Sequence, residues 1–223
     1  AEIEIMKEMG VEIKLGVEVG KDVTIPQLRE QGYKAFYLAI GCQGGRLPNI
    51  PGQEAIGVTT AVEFLKHANA GKEKTEGEIV VVGGGNVAID AARVSARSGA
   101  SKVTMLCLET EDIMPASKEE IKEAREDGVI INCGWGPKEV VVENGKATAI
   151  VFKKCTRVYD ENKKFSPLYD ENETITIPAD KVIFAIGQSI IWGNLLDGSN
   201  VELGRGNGPV ADGYTFQTSQ EDI

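Results

Sequence analysis

Short runs of β-branched and other apolar residues alternate with stretches of helical periodicity along most of the chain. A short apolar run predicts a buried strand, and apolar positions three and four apart predict a helix with one buried face. Strands that alternate with helices are typical of an α/β protein with a parallel sheet. The predicted strands are Val11–Leu15, Lys34–Ile40, Ile79–Val82, Lys102–Leu108, Val129–Cys133 and Lys181–Gly187. The predicted helices are one that ends at Met9, Ile25–Gln31, Thr60–Ala70, Val87–Ala96 and Lys118–Asp127.

A second pattern occupies the part of the chain between residues 138 and 180. Lys138–Val142 and Ala147–Lys154 flank the dipeptide Asn144-Gly145. Asn-Gly between two such runs is a strong signal for a β-hairpin. Thr156–Asp180 is polar and rich in charge, and we expect it to extend this hairpin at its edge. The sequence therefore predicts a central parallel sheet accompanied by an antiparallel β-meander.

The most informative stretch is Ile79–Asp90, in which β-branched residues lead into a glycine cluster and then into a helix. Gly83, Gly85 and Ala88 match the spacing G-x-G-x-x-G/A of dinucleotide-binding folds. The first glycine permits the tight turn, the second lets the backbone approach a pyrophosphate, and the small third residue lets helix and strand pack closely. The pyrophosphate then lies at a helix N-terminus, where unpaired N–H groups favour negative charge. The predicted contacts are Gly83, Gly84, Gly85, Asn86, Val87 and Ala88.

Two features refine this prediction. For Asn86 the sequence leaves two roles open, a cap on the helix or a contact to the pyrophosphate. Glu109 stands at the end of the second predicted strand, roughly 20 residues after the glycine loop, where an acidic residue binds the adenosine ribose. A carboxylate there also repels a 2′-phosphate, so Glu109 favours NAD(H) over NADP(H). The alternative is that Glu109 is a solvated loop acid, since Glu111 and Asp112 follow it.

A partial repeat flanks the nucleotide-binding unit. Ala39-Ile40-Gly41 ends one predicted strand and Ala185-Ile186-Gly187 ends another, one before and one after the glycine loop. Such a placement indicates one domain inserted into another. We expect residues 57–187 to form the NAD(P)H-binding domain, and residues 1–56 and 188–223 to be two partial pieces of an FAD-binding domain.

Composition limits the remaining function classes. The 223 residues carry a formal net charge of −10 at pH 7, which argues against nucleic acid and anionic membranes as partners. No apolar run reaches the roughly 18 residues that a membrane span needs. The first residues lack the basic and apolar regions of a secretory signal, so a cytoplasmic location is expected.

The potentially reactive side chains are few. Cys42, Cys107, Cys133 and Cys155 are too far apart in sequence for a C-x-x-C pair or a metal-binding run, so neither a dithiol mechanism nor a metal site is expected. The single histidine, His67, is expected on a helix surface. No catalytic residue is predicted, in keeping with hydride transfer, which depends more on positioning than on acid–base chemistry.

Together these motifs resemble the small-subunit (β-chain) family of glutamate synthase. The resemblance rests on an ordered set that covers nearly the whole chain: Ala39-Ile-Gly41, Ile50-Pro-Gly52, Gly83–Asp90, Met114-Pro115 and Phe184–Gln188. It implies an FAD-dependent pyridine nucleotide oxidoreductase with two dinucleotide-binding domains. In such enzymes a reduced nicotinamide reduces FAD, and the electrons pass to iron–sulfur clusters or to a partner subunit. The resemblance also implies that Ala39, Ile40 and Gly41 lie on the FAD side, and that Ala185, Ile186 and Gly187 lie near the nicotinamide.

The chain departs from this family pattern in two places. NADPH-using members carry adjacent arginines after the second strand, in a segment similar to Tyr-Arg-Arg, where this chain has Cys107-Leu108-Glu109. The N-terminal G-x-G-x-x-G and C-terminal Gly-Asp motifs of the FAD site are also missing, so we expect a middle segment of a longer flavoenzyme that is inactive alone and does not hold FAD. The expected function is therefore an NADH-binding domain that presents its coenzyme to FAD. The alternatives are an NADPH-specific version of the same enzyme and a non-catalytic dinucleotide-binding module.

Overall fold

The computed structural model describes residues 2–72 and 74–223, which separate into two compact units. The larger unit comprises residues 43–189, and the smaller one combines the chain up to residue 42 with residues 190–223. Residues 43–56, which the sequence-based boundaries assign to the first FAD-domain piece, lie in the larger unit.

The larger unit is built on a five-stranded sheet in which every strand pair is parallel. Its spatial order is β2-β9-β3-β4-β5. The strands are β2 (Val58–Thr60), β3 (Glu78–Val82), β4 (Lys102–Cys107), β5 (Ile130–Cys133) and β9 (Lys181–Phe184). Helices α3 (Ala61–Asn69), α4 (Asn86–Arg97) and α5 (Lys118–Glu126) connect them, with a 3₁₀ turn at Glu111–Ile113. Strands β1 (Gly44–Gly45) and β10 (Gln188–Ser189) form a separate two-stranded antiparallel sheet.

Two layers cover the sheet because successive side chains of each strand point to opposite faces. Ile79, Val81 and Met105 belong to the core that includes the helices, whereas Val80 and Val82 belong to the core that includes the meander. The meander consists of β6 (Trp135–Glu143), β7 (Lys146–Tyr159) and β8 (Phe165–Pro178) in antiparallel order. The prediction of a parallel α/β sheet with a β-meander is confirmed.

The predicted hairpin also forms. Asn144 and Gly145 have φ values of 51° and 78°, and Glu143 pairs directly with Lys146. Positive φ at both central residues is the requirement of the type I′ turn, which explains the Asn-Gly signal. Beyond the hairpin, β7 and β8 are each 14 residues long, and their pairing is interrupted by register shifts around Lys154, Cys155 and Arg157.

The smaller unit contains α1 (Glu2–Glu8) and α2 (Ile25–Glu30). Thr24 caps α2 in a reciprocal arrangement with Gln27. The strands predicted at Val11–Leu15 and Lys34–Ile40 are absent, which is a correction. A strand needs a neighbour to pair its backbone, and in the described residues neither segment has a ladder partner. Instead, the Phe36 N–H donates to the Asp222 carbonyl, and Tyr37 is 88% exposed.

An ion-pair cluster joins α4 to α5. Asp127, at the C-terminal end of α5, accepts hydrogen bonds from Arg93 Nε at 2.8 Å and from Arg97 Nη2 at 3.1 Å. The bond from Arg93, followed by that from Arg97, holds the pKa of Asp127 below its ordinary value of 3.8. A lowered pKa in the folded state stabilises the protein above the unfolded pKa, and this contribution is lost as the pH falls through the folded value.

Asp127→Asn is therefore expected to lower the thermal midpoint at pH 7. The difference between variant and parent should shrink below about pH 4, where the parent carboxylate becomes protonated. Circular dichroism melts at a series of pH values measure both quantities. Glu126→Gln is the matched control, because Glu126 is exposed and its one ion pair among the described residues is a 3.7 Å contact with the exposed Lys122. An equal effect of the two variants at pH 7 would contradict the role assigned to Asp127.

Candidate dinucleotide-binding site

The glycine loop connects β3 to α4 at the carboxyl edge of the parallel sheet. Strand β3 ends at Val82 and helix α4 begins at Asn86, so Gly83, Gly84 and Gly85 form the whole connection. Gly85 is the N-cap of α4, and no side chain caps this helix end. The first N–H groups of a helix have no partner within the helix, and they point to where an anion would bind.

The three glycines of the loop differ in the space around the position of a Cβ atom. Gly83 has φ +146°, and a Cβ there would lie 2.4 Å from the carbonyl oxygen of Ala185. A Cβ at Gly84 would lie 2.9 Å from Glu109 Oε2. At Gly85 a Cβ would meet no atom within 4 Å. Gly83 and Gly84 are thus required by the packing of the protein, whereas Gly85 faces open space that a phosphate can enter.

Ala88 and Asn86 complete the start of α4. Ala88 is fully buried, consistent with close packing of the helix on the sheet. The side chain of Asn86 does not cap its own helix, although Asn86 lines the cavity at the start of α4. Its Oδ1 accepts a hydrogen bond of 3.0 Å from the N–H of Ser117, the N-cap residue of α5. Asn86 therefore joins the glycine loop to the start of α5, and the Ala116 N–H, which donates to the Gly84 carbonyl, strengthens this link.

Glu109 lies beside the glycine loop at the end of β4. It is only 9% exposed, and its Oε2 approaches Gly84 as described above. Its backbone carbonyl accepts a hydrogen bond from the Gly134 N–H at 2.9 Å, which fixes the residue in place. Within residues 2–72 and 74–223, no hydrogen bond reaches its carboxylate. In the described residues the buried side-chain oxygens that lack a partner belong to Glu78 and Glu120 and not to Glu109. The Glu109 carboxylate therefore opens to the adjoining cavity, where a ligand that donates hydrogen bonds can reach it.

Two cavities of the larger unit meet at the glycine loop. The first has a volume of about 490 Å³ and is lined by Glu109, Pro115, residues at the ends of β3 and β4, and residues that follow β9. The second, of about 270 Å³, is lined by the start of α4, by Ala61 and by Gln188. Gly85, Ala185 and Gly187 line both cavities. Such a paired shape suits a ligand with two ends and a narrow middle, as a dinucleotide has.

The residues after β9 lie beside the glycine loop. The Ala185 N–H donates to the Val82 carbonyl at 2.8 Å, which holds the end of β9 against the end of β3. Gly187 adopts φ +119°, and Ile186 lines the larger cavity. Ala39, Ile40 and Gly41 belong to the smaller unit, where Ile40 and Gly41 border an apolar cavity of about 310 Å³.

An aromatic wall of the larger cavity was not predicted. Trp135 at the start of β6 and Phe165 and Tyr169 on β8 line it, together with the prolines Pro48, Pro137 and Pro167. Gly136 permits this packing, because a Cβ there would lie 2.4 Å from the Tyr169 ring. Lys154 Nζ lies 4.7 Å from the centre of the Trp135 ring. From sequence alone β8 is expected to be a solvated edge, since nothing local indicates that the meander reaches the cavity beside the glycine loop.

The described residues contain neither a metal-binding cluster nor a membrane-spanning helix. In the part of the chain that the structure describes, no group of three or more His, Cys, Asp or Glu side chains is placed to hold a metal ion. No described helix is long and apolar enough to cross a membrane.

Comparison with known proteins now assigns the family. The model of the pyridine nucleotide-disulphide oxidoreductases matches residues 2–223. The chain belongs to this family. This assignment confirms the prediction of a pyridine-nucleotide-dependent oxidoreductase and agrees with the glycine loop and the parallel sheet.

Two individual relatives are similar in sequence to most of this chain. The "Glutamate synthase [NADPH] small chain" of Halomonas elongata is 33% identical over 98% of this chain and 49% of its own length. The "NAD-dependent dihydropyrimidine dehydrogenase subunit PreT" of Escherichia coli O157:H7 is 34% identical over 84% of this chain and 41% of its own length. The chain thus spans about half the length of these relatives, or less. The resemblance to the glutamate synthase small-subunit family is confirmed.

A solved structure supports the fold. FprA of Mycobacterium tuberculosis in complex with NADPH superposes with a TM-score of 0.66 at 20% identity, over 78% of this chain and 54% of FprA. At this identity the likeness establishes only the fold, a Rossmann-like α/β architecture. The printed names of these relatives include both NADPH and NAD, so the comparisons do not choose between the two coenzymes.

Proposed function

We propose that this chain binds NADH across its glycine loop and presents the nicotinamide to FAD in a flavin oxidoreductase. The observation that carries the coenzyme preference is Glu109, whose carboxylate lies next to Gly84, opens to the larger cavity and accepts no hydrogen bond from the described chain. A ribose with free 2′- and 3′-hydroxyls donates hydrogen bonds to such a carboxylate. A 2′-phosphate would meet a like charge there.

The residues present fit a dinucleotide. The pyrophosphate would be held by the uncapped N-terminus of α4, where Gly85 leaves room for it. The adenosine would occupy the larger cavity, which contains Glu109, and the nicotinamide end would occupy the side bordered by Gly187 and Gln188. Gly84, Asn86 and Val87 would fix the conformation of the glycine loop through their contacts with the rest of the protein.

The remaining parts of the proposal concern the whole enzyme. We infer that the smaller unit, the chain up to residue 42 with residues 190–223, corresponds to pieces of an FAD-binding domain, with Ala39, Ile40 and Gly41 on the flavin side. FAD, when bound, supplies the hydride acceptor, and electrons then pass to iron–sulfur clusters or to a partner subunit. The names of the relatives, a small chain and a subunit, support a partner of this kind. We expect FAD to be held by the full-length protein rather than by this segment.

The name of the glutamate synthase relative favours a second candidate, an NADPH-specific form of the same enzyme. The two candidates differ in one measurement. Isothermal titration of the chain with NADH and with NADPH is expected to show tighter binding of NADH, and equal or tighter binding of NADPH would overturn the preference. A flavin absorption spectrum of the full-length protein tests the oxidoreductase assignment, because a colourless protein that still binds NADH would be a binding module.

The aromatic wall offers a further test of where adenosine binds. The chain has two tryptophans, so Trp192→Phe leaves Trp135 as the only tryptophan reporter. We expect ADP and NADH to quench its emission, whereas reduced nicotinamide mononucleotide should not, because it lacks the adenine. Loss of an aromatic contact of about 0.5–1.5 kcal/mol predicts that Trp135→Leu weakens ADP binding roughly two- to tenfold.

Trp192→Leu is the matched control for that substitution, because Trp192 belongs to the smaller unit. It should leave the ADP affinity unchanged. If the mononucleotide quenches Trp135 and ADP does not, the assignment of the adenosine to the larger cavity is wrong.

A further inference from the structure

Strands β4 and β5 end in a matched pair of cysteines. Cys107 and Cys133 are register partners on these neighbouring parallel strands, and their Sγ atoms are 3.8 Å apart. The two thiols differ in access. Cys107 is 2% exposed, whereas Cys133 is only partly buried. The absence of a C-x-x-C motif led the sequence analysis to expect no dithiol, but the parallel pairing of β4 with β5 brings together residues 26 positions apart.

The backbone positions of this pair suit a disulfide. Neighbouring strands of a sheet lie about 4.8 Å apart, which is within the roughly 4.4–6.8 Å between Cα atoms that disulfides span. Because an S–S bond is about 2.05 Å long, the sulfur atoms must approach by a little under 2 Å. Rotation of the two side chains supplies part of this movement, and the end of β4 must supply the rest.

Cys107 is in contact with the nucleotide cleft. A Cβ at Gly84 would lie 3.0 Å from the Cβ of Cys107, so this side chain packs against the glycine loop. The Cys107 thiol also donates a weak hydrogen bond to the Glu109 carbonyl, with an Sγ–O distance of 3.6 Å. A change in the position of Cys107 is therefore transmitted to both Glu109 and the loop.

We propose that Cys107 and Cys133 are a redox-sensitive dithiol whose oxidation to a disulfide lowers the affinity of the adjoining cleft for its dinucleotide. Only the affinity part rests on the proposed function. The oxidant is a low-molecular-weight disulfide. The accessible Cys133 thiolate attacks it and releases one thiolate, and Cys107 then attacks Cys133 Sγ and releases the second. Two protein thiols are oxidised, one external disulfide is reduced to two thiols, and the two protons go to water or to the released thiolates.

Oxidation weakens the cleft for a geometric reason. Disulfide formation removes the thiol donor from the Glu109 carbonyl and draws Cys107 toward β5, away from Gly84. Glu109, whose carboxylate we assign to the ribose, then loses the hydrogen bond from the Cys107 thiol to its backbone carbonyl. By linkage, bound NADH favours the dithiol form to the same extent.

The reaction should be slow at neutral pH and faster in alkali. Burial raises the pKa of both thiols, and the thiolate is the attacking form. The charged groups facing the pair are Glu109 at the end of β4, Glu111 in the 3₁₀ turn and Arg125 on α5. The two carboxylates raise the pKa of Cys133 and the guanidinium lowers it.

The test uses the full chain with oxidised glutathione at pH 7 and pH 9. We expect loss of two hydrogen atoms in the intact mass, faster at pH 9, and a tryptic cross-link between Cys107 and Cys133. Cys42→Ser, which removes the exposed cysteine, is the control that should still cross-link. Cys133→Ser and Cys107→Ala should not. A cross-link that involves Cys42 or Cys155, or a mass gain by stable glutathione addition alone, would overturn the dithiol.

NADH titration of the oxidised and reduced chain tests the coupling. We expect oxidation to weaken binding about fivefold or more, the lower end of typical coupling between sites, with recovery after reduction. Unchanged affinity in a fully cross-linked sample would overturn the coupling. Failure of the reduced chain to bind NADH would instead refute the proposed function, whereas the mass measurement tests the dithiol independently of any nucleotide.

Discussion

Glu109→Arg is expected to reverse the coenzyme preference of the chain. The substitution removes the carboxylate that we assign to the ribose hydroxyls and places a guanidinium where a 2′-phosphate would lie. Hydrogen bonds to a charged group contribute about 1.5–3 kcal/mol, so NADH affinity should fall roughly ten- to hundredfold. NADPH affinity should rise, because arginine forms two parallel hydrogen bonds with a phosphate. Titration calorimetry with both coenzymes measures the two changes.

Two further variants separate this effect from simple disruption of a buried position. Glu109→Gln keeps the shape and a hydrogen-bond acceptor but removes the charge, so it should reduce the preference for NADH without creating one for NADPH. Glu143→Arg makes the same charge change at the far end of β6, on an exposed residue. It should alter neither affinity by more than the weak screened interaction of distant surface charges. If Glu109→Gln leaves the ratio of NADH to NADPH affinity unchanged, the Glu109 carboxylate does not distinguish the ribose hydroxyls from a 2′-phosphate.

Gly83→Ala is expected to produce the largest loss of stability. Gly83 adopts φ +146°, and the added Cβ would lie 2.4 Å from the Ala185 carbonyl oxygen. An unfavourable backbone conformation costs about 1–3 kcal/mol, and overpacking adds about 1–3 kcal/mol. Because Ala185 bonds to the end of β3, the strain falls on the pairing of β3 with β9 at the centre of the sheet. Urea unfolding followed by circular dichroism measures the loss.

Gly85→Ala is the matched substitution, two residues along the same loop. Its φ of −95° is open to any residue, and the added methyl group would meet no protein atom within 4 Å. We expect the free energy of unfolding to change little while NADH affinity falls by about tenfold, since the methyl group occupies the space through which the backbone approaches the pyrophosphate. A large stability loss in Gly85→Ala, or none in Gly83→Ala, would contradict the roles assigned to the two glycines.

The contrast between these glycines indicates where prediction from sequence stops. The spacing of Gly83, Gly85 and Ala88 identifies the loop, since a tight turn from strand to helix leaves few residue choices. It does not reveal that Gly84 is constrained by Glu109, because that contact depends on β4 lying beside β3. In the same way, Asn86 reads as a cap for its own helix, whereas its side chain bonds to Ser117 at the start of another helix.

Errors in the prediction have a similar origin. The run Lys34–Ile40 has the composition of a buried strand, and composition cannot show whether a neighbouring strand is present to pair with it. The polar segment after the hairpin is a largely exposed edge, as expected, but local sequence does not show that it also places Phe165 and Tyr169 at the larger cavity.

The sequence by itself determined the parts of this protein whose physics is local. These are the β-branched runs that become β3, β4 and β9, the Asn144-Gly145 turn, the glycine loop at a helix N-terminus and the acid at the end of β4. Only the tertiary structure decided which of these meet. The parallel register that pairs Cys107 with Cys133, the position of the Glu109 carboxylate beside Gly84 and the aromatic wall all arise from strands distant in sequence. Their contacts depend on the order of strands in the sheet, which no local pattern encodes.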